Sequence, residues 1–136
     1  MFKNILVPID LTQAEKAQAM LDRARLLADQ GARITVVHVV EDLPSYVRAE
    51  LPQGLVEKNS LLARQDIEKL VQASGTTAGI EIREGDASRE ILTFAESSKA
   101  DLILIASHKP GLQDYLLGST AARVVRHATC SVLVLR

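Results

Sequence analysis

The amino-acid sequence predicts an α/β fold: a doubly wound, five-stranded parallel sheet with helices on both faces. Short apolar runs alternate with amphipathic helical patterns, in the order β-α-β-α-β-α-β-α-β. This alternation is typical of parallel strands joined by right-handed crossovers. The strand-like runs are rich in Ile, Leu and Val, which indicates strands that are covered on both faces. The length of 136 residues and the 47% hydrophobic content predict one domain over residues 1–136.

Composition excludes several classes of partner. The net charge of −1 and a pI near 6.3 argue against a basic surface for nucleic acid. No apolar stretch approaches the roughly 20 residues of a membrane helix, and the N-terminus lacks the layout of a signal peptide. Cys130 is the one cysteine, so no internal disulfide forms and a reducing compartment is indicated. We therefore expect a complete, cytoplasmic chain without membrane or nucleic-acid partners.

The first strand is predicted over residues 5–9, and Asp10 follows at its tip. Thr12 is expected to cap the next helix. Apolar residues at three- and four-residue steps predict that this helix spans residues 13–30 and ends at Gly31.

The middle of the chain continues the same alternation. A β-branched run predicts the second strand over residues 34–40. Residues 41–54, which hold two prolines, are interpreted as a mobile connection and as the lid or edge of a site. Apolar periodicity then predicts a long helix over residues 55–74. A shorter, more polar edge strand is expected at residues 80–84, followed by a helix over 88–98.

The C-terminal part reads strand, loop, helix, strand. Residues 101–106 form a buried strand, residues 107–117 a loop, and a helix begins at Ser119 or Thr120, either of which is a candidate cap. Small and hydroxyl residues at a helix start, after a loop that leaves a buried strand, suit an anion, because free N–H groups and the helix dipole point at it. On local evidence alone, however, capping explains residues 118–120 equally well.

In such sheets, ligands bind beyond the carboxyl ends of the strands, where the strand order reverses. If the first of the five strands is central, the strand order reverses between the first and fourth strands. The chain segments at the tips of these two strands are residues 8–10 and 106–108. Asp10 is then a candidate contact for a ribose hydroxyl or a metal, or else a partner of the first helix, and local evidence favours neither. The backbone of Val39, at the end of the second strand, is a candidate contact for a base edge, although any strand-end valine looks the same.

The remaining reactive side chains favour structural roles. His38, inside a strand, is interpreted as a packed core residue and His127 as a helix C-terminal cap. His108, beside Lys109 in the predicted loop, is the one histidine that is a candidate for ligand contact. No spacing for a metal site and no catalytic triad stands out, and Cys130 is interpreted as an inert thiol.

The apolar final strand, residues 131–135, predicts an oligomer. If this strand is the sheet edge, its backbone groups lack partners, and soluble proteins seldom leave such an edge bare. Pairing with the same strand of a second copy covers it symmetrically, so we expect a homodimer.

The sequence resembles the universal stress protein family over its whole length. The resemblance is carried by the runs at residues 5–10, 37–39, 117–128 and 132–134. The general nucleotide motif of the family is Gly, two residues, Gly, nine residues, then Gly-Ser or Gly-Thr. Here Ala106 and Lys109 replace the first two glycines, and eight residues, 110–117, precede Gly118. Residues 106–110 and 115–119 are similar instead to the F/G-type bacterial subgroup, which shows the same shortened loop and is taken to bind ATP.

The resemblance implies a flavodoxin-like, Rossmann-like sheet of order 3-2-1-4-5, a dimer through the last strand, and a role in stress survival. It also implies the positions of a bound nucleotide's contacts. By this resemblance, the nucleotide lies against Pro8, Ile9 and Asp10, and adenine contacts the backbone of Val39. The ribose and phosphates are lined by Ala106, Ser107, His108 and Lys109. The phosphate oxygens bind to Gly118, Ser119 and Thr120. Lys109 in place of glycine either adds phosphate affinity or crowds the loop.

The resulting hypothesis is a cytoplasmic regulatory protein that binds ATP, with Mg²⁺ as a candidate companion. A second hypothesis is a partner-binding module of the same fold without nucleotide, motivated by Ala106 and Lys109. A third is slow ATP hydrolysis, although no residue is clearly placed to orient water, and we do not assign a dedicated enzyme.

Overall fold

The computed structural model describes residues 1–107 and 117–136, and a five-stranded parallel sheet of order 3-2-1-4-5 forms its centre. This confirms the predicted fold class, including the edge positions of the third and fifth strands. The strands are β1 (Phe2–Pro8), β2 (Ala28–Glu41), β3 (Gly79–Gly85), β4 (Leu102–Ala106) and β5 (Ser131–Leu135).

Helices cover both faces of the sheet. They are α1 (Ala17–Leu27), α2 (Ser45–Glu50), α3 (Leu55–Ser74), α4 (Ala87–Ser97) and α5 (Ser119–His127), with a short 3-10 helix at Leu11–Lys16 before α1. In the part of the chain that the structure describes, none of these helices has the length and apolar character needed to cross a membrane.

Alternate side chains of the strands build two separate cores. Ile5 and Val7 of β1 pack with residues of α1 and α3 on one face. Leu6, between them, packs on the other face with residues of α4 and α5. All three side chains are essentially fully buried, so the sheet is covered on both sides, as parallel sheets require.

The strand register brings two loop tips together at the carboxyl end of the sheet. β1 pairs with β2 on one side and with β4 on the other, where Ile5 lies opposite Leu102. The Ile9 N–H donates to the Val37 carbonyl at 2.9 Å, which continues the contact with β2 past the end of β1. The chain after Pro8 and the chain after Ala106 therefore leave the sheet side by side.

The predicted helix over residues 13–30 is wrong at both ends. Its first part is a 3-10 helix with non-helical torsions at Gln13 (φ −127°, ψ 43°). Its last part is extended, because Ala28 already pairs with Phe2 of β1. Hydrogen bonding between neighbouring strands thus overrides helix propensity in the last three residues.

Gly31 does not end a helix but lies in an irregular part of β2. Phe2 pairs with Ala28 and Asn4 with Arg33, so β2 advances further than β1 between these two pairs. The pairing register shifts between these pairs, and Gly31 has a φ of +78° there. That torsion favours glycine, which lacks the Cβ that would strain it.

β1 spans Phe2–Pro8 rather than the predicted residues 5–9. Elsewhere the predicted boundaries hold closely, with two further differences. α3 and β5 begin and end where the sequence pattern predicts. Residues 41–54 contain the short helix α2, which the two prolines obscured; the Val47 and Arg48 N–H groups both donate to the Pro44 carbonyl. The cap of α5 is Gly118, without a side-chain hydrogen bond, rather than Ser119 or Thr120.

Candidate functional site

A cavity of about 490 Å³ lies at the carboxyl end of the sheet. Its wall is contributed by the tip of β1, the 3-10 helix, the end of β2, α4, the end of β4 and the start of α5. The lining residues are Pro8, Ile9, Asp10, Leu11, Thr12, Gln13, Lys16, Met20, Val37, His38, Val39, Val40, Glu41, Ala87, Ile91, Ile105, Ala106 and Thr120. This is the position at which doubly wound sheets bind ligands.

Asp10 organises the first side of the cavity. Its Oδ1 accepts hydrogen bonds from the Thr12 N–H at 2.9 Å and from the Thr12 hydroxyl at 2.7 Å, and its carbonyl accepts from the Gln13 N–H at 2.9 Å. Asp10, rather than the expected Thr12, therefore caps the 3-10 helix. The carboxylate is exposed and lines the cavity as well, so one residue shapes the turn and faces the site.

Backbone hydrogen bonds fix the opposite side, where β4 meets α5. The Gly118 N–H donates to the Ser107 carbonyl at 2.8 Å, and the Ser107 N–H donates to the Leu135 carbonyl at 2.9 Å. The start of α5 is thereby held against the ends of β4 and β5. The N-cap residue of α5, Gly118, makes no side-chain hydrogen bond to the first turn, and the N–H groups of a helix start suit an anion.

His38 is not the packed core residue that its strand position predicted. It is half-buried, lines the cavity and places its Nδ1 2.9 Å from the Ile9 carbonyl oxygen. A carbonyl only accepts, so Nδ1 donates the hydrogen in this contact. His38 thus ties the end of β2 to the turn after β1. Val39, next along β2, lines the cavity as well.

The cavity combines an apolar body with a few polar groups, as ligand pockets do. Met20, Ile91 and Ile105 supply apolar surface, whereas Lys16 and Glu41 carry opposite charges. Among residues 1–107 and 117–136, no cluster of three or more His, Cys, Asp or Glu side chains suits a metal ion.

Six of the predicted site residues line this one cavity: Pro8, Ile9, Asp10, Val39, Ala106 and Thr120. Ser107 is buried beside it, and Gly118 and Ser119 begin α5. His108 and Lys109 lie outside the described residues. Sequence reasoning missed the wall formed by Gln13, Lys16 and Met20, because a 3-10 helix with a non-helical Gln13 replaces the start of the predicted helix.

The other singled-out side chains lie away from the cavity. His127 is exposed in the last turn of α5. Cys130 is half-buried just before β5, and burial raises the pKa of its thiol. A raised pKa keeps the thiol protonated and unreactive at neutral pH, in line with the expected inert role.

A doubly wound sheet with a cavity at the switch point defines a Rossmann-like α/β protein with a candidate ligand site. Residues 1–136 match the family model of the universal stress protein family, and the chain belongs to that family. This confirms the resemblance on which the sequence hypothesis rests.

Individual relatives support this assignment. The chain is 31% identical to universal stress protein MJ0531 of Methanocaldococcus jannaschii, with all of this chain and 83% of the relative covered. It is 28% identical to universal stress protein G of Salmonella typhimurium over the full length of both. The structure of hypothetical protein MJ0577 has a TM-score of 0.82 at 26% identity, covering 99% of this chain and 96% of the other.

Two structures of the same fold contain adenine nucleotides. One is a universal stress protein in complex with cAMP, with a TM-score of 0.65, 21% identity, and coverage of 99% and 97%. The other is the universal stress protein of Archaeoglobus fulgidus in complex with dAMP, with a TM-score of 0.63, 19% identity, and coverage of 98% and 97%. At these identities the likeness concerns the fold alone.

Proposed function

We propose that this chain is an ATP-binding regulatory protein of the universal stress type. The observation that carries the proposal is that Asp10, Ala106 and Thr120, from three separate segments, line one cavity at the switch point. The volume of about 490 Å³ lies within the range of small-molecule sites. The structures of this fold with cAMP and dAMP support an adenine nucleotide as the class of ligand.

The arrangement suggests how the ligand lies. Adenine meets the backbone at Val39, the ribose lies between the tips at Asp10 and Ala106, and the phosphates reach the first turn of α5. There the N–H groups of the first turn and the positive end of the helix dipole stabilise negative charge. Ser119, Ser107 and the loop with His108 and Lys109 complete the proposed contacts, and any Mg²⁺ is carried mainly by the phosphates.

The test is isothermal calorimetry with ATP and Mg²⁺. We expect micromolar binding, roughly −8 kcal/mol at 1 μM, and loss of binding in Gly118→Arg, whose side chain fills the space before α5. Gly118 has φ −63° and ψ 158°, which any residue adopts, so the circular dichroism spectrum should not change. Gly79→Arg, at the start of β3, is the matched control.

Unaltered ATP affinity in Gly118→Arg would contradict the site. Failure of ATP, ADP and cAMP to raise the melting temperature at millimolar concentration would favour a partner-binding module instead, because a ligand of the native state must stabilise it. Release of ADP from bound ATP, measured separately, would indicate hydrolysis.

The proposal includes a cytoplasmic homodimer in which residues 1–136 act as one domain. β5 is an edge strand, and Leu133 on it is 37% exposed. Pairing of two copies through β5 covers both exposed edges. The unpaired thiol of Cys130 fits a reducing compartment.

A further inference from the structure

We propose that Gln13 is a specificity-determining residue whose side-chain oxygen accepts a hydrogen bond from the nucleoside part of the ligand. This inference rests on the proposed function, because it assigns a contact within the same cavity. Gln13 lies outside the strand tips 8–10 and 106–108 and outside the nucleotide motif of the family.

The Oε1 atom of Gln13 is buried and has no hydrogen-bond partner within residues 1–107 and 117–136. Gln13 also lines the cavity. Buried polar atoms are nearly always satisfied, and each exception needs an explanation. The other such atom in the described part of the chain, the Thr76 hydroxyl oxygen, belongs to a residue that does not line this cavity.

The backbone holds Gln13 in this position. The carboxylate of Asp10 binds Thr12, and the carbonyl of Asp10 accepts from the Gln13 N–H at 2.9 Å. These contacts interrupt the 3-10 helix, so that Gln13 has φ −127° and ψ 43°. The side chain is therefore placed by a fixed turn, rather than by an exposed helix surface on which it would move freely.

The chemistry of the acceptor limits its partner. A carbonyl oxygen accepts hydrogen bonds, and ionised phosphate oxygens have none to donate. At neutral pH the donors on ATP are its 6-amino group and its two ribose hydroxyls. Val39, which the proposed function places against adenine, lines the same cavity as Gln13. The partner of Oε1 is therefore a donor of the base or of the ribose.

The first experiment replaces Gln13 by methionine, which has a similar shape without the amide. We expect Gln13→Met to bind ATP about 10-fold more weakly, because one buried hydrogen bond is lost. The melting temperature of the ligand-free protein should stay the same or rise, because the variant removes an unsatisfied polar atom. Gln18→Met is the matched control, since Gln18 is exposed on α1 and donates to Asp22 at 3.0 Å.

The second experiment identifies the donor. ATP is compared with inosine triphosphate, 2′-deoxy-ATP and 3′-deoxy-ATP, each of which lacks one of the donors. Calorimetry on the unmodified protein and on Gln13→Met completes a thermodynamic cycle for each analogue. For one analogue, we expect an about 10-fold loss in the unmodified protein that disappears in Gln13→Met.

Three results would overturn the inference. One is equal ATP affinity in Gln13→Met and the unmodified protein. A second is a lower melting temperature in Gln13→Met with weaker binding of all four nucleotides alike, which would indicate a purely structural role. The third is absence of ATP binding to the unmodified protein, which overturns the proposed function as well, whereas the first two leave it intact.

Discussion

At the scale of single residues, carboxylates that accept backbone hydrogen bonds hold the ends of the strands in place. Asp101 precedes β4 and accepts from the Lys3 N–H at 2.8 Å and the Asn4 N–H at 2.9 Å, while its own N–H donates to the Asn4 carbonyl. Asp101 thus joins the amino ends of β1 and β4, at the end of the sheet opposite the cavity. Burial raises the pKa of the Asp101 carboxyl, but the hydrogen bonds from the Lys3 and Asn4 N–H groups lower it by more, so this pKa lies below its ordinary value.

We predict that Asp101→Asn lowers the free energy of unfolding by about 1 kcal/mol at pH 7, because the amide offers only one accepting oxygen to two N–H donors. A carboxyl with a lowered folded-state pKa stabilises the protein above its unfolded-state pKa. That contribution is lost as the pH falls through the folded-state value. Urea unfolding from pH 7 to pH 3 should therefore show the difference between the two proteins shrinking below about pH 4.

Asp66→Asn, at an exposed position on α3, is the control and should show no comparable loss at pH 7. A difference between Asp101→Asn and the unmodified protein that stays constant down to pH 3 would contradict this explanation.

At the scale of elements, an ion-pair cluster holds α2 to the sheet edge. Arg48 of α2 contacts Glu84 of β3 and lies 3.6 Å from Asp42. The Asp42 N–H donates to the Gly85 carbonyl at 3.4 Å. These contacts connect residues 41–54 to β3. Asp42 and Arg48 follow Glu41, which lines the cavity. The role of residues 41–54 as a lid remains a prediction.

We predict that Arg48→Met speeds amide hydrogen exchange over residues 42–54 about 2- to 5-fold, because surface ion pairs contribute up to about 1 kcal/mol. Exchange in the central strands should stay unchanged, since opening of α2 is local. Added salt should reduce the difference between Arg48→Met and the unmodified protein.

Arg64→Met is a matched control, because the Arg64 side chain is 46% exposed against 47% for Arg48, and Arg64 pairs with Glu68 within α3. Equal exchange over residues 42–54 in Arg48→Met and Arg64→Met would show that the cluster does not hold α2.

At the scale of the whole molecule, the free edge at β5 bears on assembly. The Leu135 carbonyl faces β4, where it accepts from the Ser107 N–H. Backbone groups alternate in direction along a strand, so the N–H of Val134 faces the open edge. A proline at that position removes an outward donor and spares the contacts with β4.

We predict that the chain elutes as a dimer of two 14.8 kDa copies, and that Val134→Pro elutes as a folded monomer. Size-exclusion chromatography with light scattering gives the mass, and circular dichroism verifies folding. Leu133→Pro is the contrasting control, because its N–H faces β4 and its loss should lower the melting temperature. An unmodified chain that is monomeric at micromolar concentration, or a Val134→Pro variant that remains dimeric, would exclude pairing through β5.

Local periodicity in the sequence is enough to predict the fold class and the order of the main elements along the chain, whereas the switch point depends on the order of the strands within the sheet. The residues of β5 and the apolar stripe of α3 predict these elements without reference to the rest of the chain. Other features depend on contacts between residues that are distant in the chain. Ala28 is extended because Phe2 pairs with it, and His38 reaches the cavity because the Ile9 carbonyl lies beside its ring. The oxygen of Gln13 is buried without a partner only because a turn, a strand end and a helix enclose one cavity, and no local pattern encodes that convergence.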